Sequence, residues 1–209
     1  MDKPLVESLE VIKATLKNGD EQFHFSGQTA GFDLYSFWRW SVSDLVSNAT
    51  RGRLAEYIVA RALNANGAIR SEWDAYDLVT PSGIKVEVKS AAYVQSWFQR
   101  KLSPITFLCR TTRGWDAETN LQTVESRRWA DVYVFALLHH QSKASIDPLN
   151  LEQWEFYVVG TCVLNERKRS QHSISLKSLK AICVPMKYAE LAAAVEAAAK
   201  QQTNATAAV

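Results

Sequence analysis

The sequence predicts an α/β domain whose elements run helix, strand, strand, strand, helix or loop, strand, strand, helix. Three observations carry that prediction. A capped amphipathic stretch covers residues 51–66, an alternating strand–turn–strand unit runs from Asp77 to Ser90, and β-rich segments recur at 105–109, 131–138 and 154–164. A chain of 209 residues is long enough for one domain with a sizeable core and too short for two independent ones.

Before the first of these elements, Leu5, Leu9, Ile12 and Leu16 have helical spacing that ends near Asn18-Gly19-Asp20. Residues 22–33 hold glycine and polar residues and read as a loop. From Leu34 to Val46 the chain is dense in aromatics (Tyr35, Phe37, Trp38, Trp40), and Ser43-Asp44 opens or interrupts a helix there. Together residues 1–49 read as an N-terminal helical extension packed on the core. A lid, or a contact with a second copy of the chain in a homodimer, is the alternative.

Thr50 is a suitable N-cap for the helix from Arg51, and Asn66-Gly67 closes it. Leu54, Ile58, Ala62 and Leu63 form its buried stripe, with Ala55 and Val59 beside them. Glu56 stands next to that stripe, where a solvated partner such as Arg53 accounts for it. In the hairpin, Pro81-Ser82-Gly83 supplies the turn, and Ile84, Val86 and Val88 alternate with Lys85, Glu87 and Lys89. The charged side chains therefore share one face. With Asp77 brought back across the turn, two carboxylates and an amine can converge on a divalent metal and a phosphate. A solvent-facing strand of alternating Lys and Glu is the competing explanation.

After the hairpin, Tyr93, Gln95, Trp97, Gln99 and the pair Arg100-Lys101 lead away from that face toward a substrate groove. Residues 105–109 read as a buried strand, residues 110–128 as a polar stretch able to form a helix, Asp131–Leu138 as the strongest strand of the chain, and Trp154–Leu164 as another. Arg167-Lys168-Arg169 forms a basic loop able to meet phosphate. Residues 175–182 and 188–200 are helical, and 201–209 an alanine-rich frayed tail, which leaves 50–200 as the single main domain.

Composition sets limits on function. Apolar residues make up 47% and charged residues 22%, with net charge +2, so any nucleic-acid binding rests on local patches. Cys109, Cys162 and Cys183 are odd in number and lack metal-ligand spacing, which fits a reducing compartment. No apolar run approaches a membrane span, and the start has no hydrophobic signal region, so a cytoplasmic location without membrane contact is expected and the sequons at Asn48 and Asn204 carry no meaning. His139-His140 is an unsuitable metal pair, because adjacent strand residues face opposite ways.

Asp77, followed ten residues later by Glu87-Val88-Lys89, resembles the signature of the PD-(D/E)XK nuclease superfamily, in which an acid ends one strand and Glu-x-Lys or Asp-x-Lys lies on the next. Tyr76 stands where the proline that names the motif would be. The element order resembles that superfamily's restriction endonuclease-like αβββαβ core, a mixed central sheet flanked by helices, over residues 50–164. The resemblance implies a Mg²⁺-dependent DNA endonuclease in which Mn²⁺ can substitute. Asp77, Glu87 and the carbonyl of Val88 would hold the metal, and Lys89, with a depressed pKa, would orient or deprotonate a water. Glu56 would bind a second metal or hold an outer water, with Ser90, Gln95, Arg100 and Lys101 as substrate contacts. The alternative is a catalytically inactive module that keeps the fold for binding DNA or protein.

Overall fold

The computed structural model describes residues 9–65, 69–72, 74–116, 118–168 and 170–207. Leu5, with residues 1–8, lies outside the described residues; residues 9–21 form no helix, and Leu9, Ile12 and Leu16 are exposed, so burial does not reward their helical spacing. The expected loop at 22–33 is instead a hairpin of β1 (Gln22–Phe25) and β2 (Gln28–Asp33). Ser26 and Gly27 both take positive φ, 49° and 75°, as a two-residue hairpin turn with right-handed strand twist requires. The helix α1 (Leu34–Val42) follows, capped by Asp33, whose carboxylate accepts from the Ser36 N–H at 2.8 Å. It buries none of its residues.

The helix α2 (Asn48–Leu63) starts before the expected Thr50 cap, with Ser47 in the N-cap position. It ends at Asn64, which takes the left-handed conformation at φ 51°; the expected stop at Asn66-Gly67 lies outside the described residues. Ala55, Ile58, Val59 and Leu63 are buried as the stripe predicts. The hairpin is present as β3 (Leu78–Val79) and β4 (Lys85–Ala92), paired antiparallel around Pro81-Ser82-Gly83.

Downstream, β5 (Thr106–Leu108) is the expected third strand, but it does not join the central sheet. The polar stretch at 110–128 is no helix; it is a β-ribbon of β6 (Thr112–Asp116) and β7 (Leu121–Arg127). β8 (Val132–Leu138) is buried at all seven positions. β9 (Trp154–Gly160) is shorter than expected, because the chain turns at Gly160 into α3 (Thr161–Asn165). The segment read as helix at 175–182 begins instead as β10 (Ser173–Ser175), then becomes α4 (Leu176–Lys180). The last helix, α5 (Leu191–Ala207), continues past the expected fray point at Gln201.

The domain is thus mixed α/β, with a four-stranded sheet in the order β3-β4-β8-β9. β4 and β8 are parallel and the outer pairs antiparallel. On one face α2 and α5 cover Val86, Val88, Val134, Trp154 and Phe156. On the other, the β5/β10 pair and α4 bury Phe107, Ile174 and Leu179 against Tyr133, Phe135 and Tyr157, with the Phe107 and Phe135 rings 5.1 Å apart. Burying each large side chain contributes about 1.5–3 kcal/mol, and because β8 feeds both cores it fixes the register of β4. That register sets Glu87 opposite Tyr133 and Lys89 opposite Phe135, on the face away from α2.

Candidate functional site

The site forms beyond the N-terminal end of β3. β3 pairs only with Lys85 and Val86, so from Val88 onward one edge of β4 has no strand beside it. Asp77, just before β3, closes part of that gap. Its own N–H donates to the Val86 carbonyl at 3.1 Å, and its Oδ2 accepts from the Val88 N–H at 2.7 Å. In an extended strand the N–H and C=O of one residue point to the same side, so the Val88 carbonyl faces the edge that Asp77 occupies. Tyr76, in the position of the absent proline, packs against the second core with the Lys85 ammonium 5.3 Å from its ring centroid, and so anchors the chain entering Asp77.

Glu87 and Lys89 project from β4 beside this edge and pair with each other. Glu56 reaches it from α2, gripped by Arg70 through two contacts, the Nη2–Oε1 one being 3.3 Å. Burial, then the charges of Glu87 and Glu56, push the Asp77 carboxyl up from 3.8 to about 7, against the Val88 N–H and Lys89, which favour ionisation. Burial works to lower the Lys89 pKa, but Glu87, Asp77 and Glu56 outweigh it, so the ammonium is held above its ordinary value. The depressed lysine expected from the sequence is therefore corrected: as the site stands, Lys89 is a fixed positive charge.

The charges of three carboxylates and of two cations, Lys89 and Arg70, thus act on one another, and burial beside acidic neighbours disfavours the Asp77 anion. An oxygen-only donor set with excess negative charge at a half-buried edge fits a hard divalent cation. Among the described residues no three His, Cys, Asp or Glu side chains converge into a metal cage. Asp77, Glu87 and the Val88 carbonyl are the oxygens at this edge that could hold a divalent cation, while Glu56 is paired with Arg70.

The other expected contacts divide. Ser90 is half-buried and accepts from Arg51 Nε at 3.3 Å. Gln95 is 7% exposed and lines a cleft together with Lys89 and Ser90, accepting from Arg51 Nη1 at 3.3 Å and donating to the Ala92 carbonyl at 2.8 Å. Arg100 and Lys101 are exposed on the loop after β4 and line none of the clefts at the site. His139 and His140 bond separate partners, the Glu152 carbonyl and the Ser145 hydroxyl. Arg51 was missed in the sequence. It is 4% exposed and ties Val46, Asn48, Ser90 and Gln95 together, and an arginine at an otherwise apolar position of a helix stripe was its only signal. Also missed was the β6–β7 ribbon. Thr112, Arg113 and Trp115 form one wall of a cleft of about 330 Å³ whose other wall holds Asp77 and Glu87.

No helix of the described residues is long and apolar enough to cross a membrane. A search of curated proteins finds no match. The family model for bacteriophage T4 endonuclease IV matches residues 29–178, a span from β2 through α4 that takes in the hairpin, the open edge and the ribbon. Since that match extends over well more than half of the sequence, the chain belongs to the bacteriophage T4 endonuclease IV family.

Proposed function

We propose that this protein is a Mg²⁺-dependent endonuclease that hydrolyses DNA phosphodiester bonds, with its reaction centre at the open edge of β4, and that its sheet is a variant of the restriction endonuclease-like core. The observation that carries the reading is the pairing of Asp77 with Glu87-Val88-Lys89 at one strand edge, where Asp77 is held up at about 7 by its acidic neighbours. Membership of an endonuclease family supports the choice of reaction.

Asp77, Glu87 and the Val88 carbonyl would hold the cation, which supplies charge to the phosphoryl oxygens and makes a bound water more acidic. The remaining work falls to the chain itself. Asp77 stays aimed at the edge because the Val88 N–H holds its other oxygen in place. Lys89, charged and half-buried beside Glu87, offsets negative charge on the phosphoryl group and donates to the attacking water or a phosphate oxygen. Arg70 pairs with Glu56, whose charge helps to keep the Asp77 carboxyl protonated.

The test is cleavage of plasmid and of single-stranded DNA with Mg²⁺, with Mn²⁺ and with EDTA. Cutting is expected with either metal, and Lys89→Ala is expected to lose it by at least about a hundredfold while melting like the wild type. Equal cutting by Lys89→Ala sinks the assignment. Metal-independent DNA binding that survives loss of both carboxylates, with no cutting under any condition, favours the inactive binding module.

A further inference from the structure

We infer that the β6–β7 ribbon is a strand-gripping arm of this site: Arg113 takes a backbone phosphate and Trp115 stacks on a base of the DNA whose phosphodiester lies in the cleft with Asp77 and Glu87. The inference rests on reading that cleft as a nuclease site. The ribbon does nothing for the core. All seven residues of β7 are exposed, Val124 by 93%, and in β6 only Gly114 is buried. A two-stranded ribbon so exposed is marginal by itself, so contacts made by half-buried Trp115, whose indole N–H donates to Asn120 at 3.2 Å, and by the root of the ribbon help to order it.

That root is specific. Trp129 lies against Gly114, where an added Cβ would come within 2.9 Å of the ring, and its indole N–H donates to the Thr112 carbonyl at 2.8 Å. Arg127 stacks over the same ring at 4.1 Å, and the Gly114 N–H donates to the Thr123 hydroxyl at 2.8 Å. The pairing register shifts between Arg113 and Trp115, a bulge of the kind that re-aims side chains. Both residues consequently line the cleft that holds the two carboxylates. Arg113 has no ion-pair partner among the described residues, although acidic groups line the opposite wall. A guanidinium and an indole beside a phosphodiester site are complementary to phosphate and base respectively, and β-ribbons are an established way of presenting such groups to nucleic acid. The walls face each other across a space of about 330 Å³, which suits one strand better than a folded protein partner.

The experiment is binding of a fluorescein-labelled DNA oligonucleotide by the full chain in EDTA, at several salt concentrations, so that no cleavage is required. Arg113→Gln is expected to weaken binding about tenfold and to lower the slope of log affinity against log salt by about 0.7–0.9, one phosphate contact. Trp115→Ala is expected to weaken binding about tenfold or more with the slope unchanged, and Trp115→Phe to recover most of the loss. Gly114→Ala, which displaces Trp129, combines both losses. Wild-type affinity in both Arg113→Gln and Trp115→Ala overturns the arm, as does an unchanged salt slope in Arg113→Gln. A wild-type chain that binds no DNA overturns it too. Full cutting by Lys89→Ala, by contrast, removes the catalytic assignment and leaves the arm standing.

Discussion

Replacing Asp77 with asparagine removes a charge that the folded chain tolerates poorly, and the consequence can be worked out from the site. The folded protein holds the Asp77 carboxyl at about 7, against 3.8 for an unperturbed one, because of burial and the charges of Glu87 and Glu56. A pKa raised on folding means that the native state binds the proton more tightly than the unfolded state. Stability from this group is complete below about pH 4 and is lost as pH rises through 7. The difference from 3.8 to about 7 corresponds to about 4 kcal/mol at pH 8, as an order of magnitude. Asparagine carries no charge at any of these pH values, and its carbonyl oxygen still accepts from the Val88 N–H. Asp77→Asn should therefore match the wild type near pH 4 and exceed it by several kcal/mol at pH 8, a gain of roughly 5–15 °C in melting temperature for a domain of this size. Urea and thermal unfolding in EDTA at the two pH values measure this. Adding Mg²⁺ at pH 8 should stabilise the wild type and leave the variant unchanged. A variant that is less stable than the wild type at pH 8, or equally offset at both pH values, refutes the electrostatic reasoning.

Arg51→Met leaves the Val46 carbonyl, Asn48, Ser90 and Gln95 without their donor, and should destabilise the fold by about 2–4 kcal/mol in urea unfolding. Phe135→Ala empties the layer between β8 and β5 and should cost about 3–5 kcal/mol by the same assay. Glu56→Gln, because Glu56 is held by Arg70, should keep cutting within about tenfold of the wild type, whereas Glu87→Gln should abolish it in a plasmid-nicking assay.

Elements whose burial pattern is written locally were legible in the sequence. The β8 run from Val132 to Leu138 is apolar at each position because both its faces are covered, and β4 alternates because one of its faces carries the charged pair. The Asp77–Lys89 constellation could be read for the same reason, since its members lie on one hairpin. What could not be read depends on partners distant in sequence. Ile105–Cys109 looks like a sheet strand, yet β5 finds its neighbour in β10, a pairing between residues 106 and 175 that no local pattern records. The stretch at 112–127 reads as polar and able to form a helix, because the ribbon's order comes from contacts that its own pattern does not record, among them Trp129 against Gly114 and Arg127 over Trp129. Leu9, Ile12 and Leu16 have helical spacing but stay exposed. Arg51 and Gln95 look like solvent-facing residues until the loop after β4 folds over α2 and encloses them together.

The proposed reaction centre stands on Asp77 and Glu87 holding one divalent cation at the open edge of β4. Mn²⁺ binding followed by electron paramagnetic resonance tests it without any substrate. One bound Mn²⁺ per chain is expected in the wild type and in Lys89→Ala, with binding lost in Asp77→Ala and in Glu87→Gln. Undiminished Mn²⁺ binding in both carboxylate variants would contradict it.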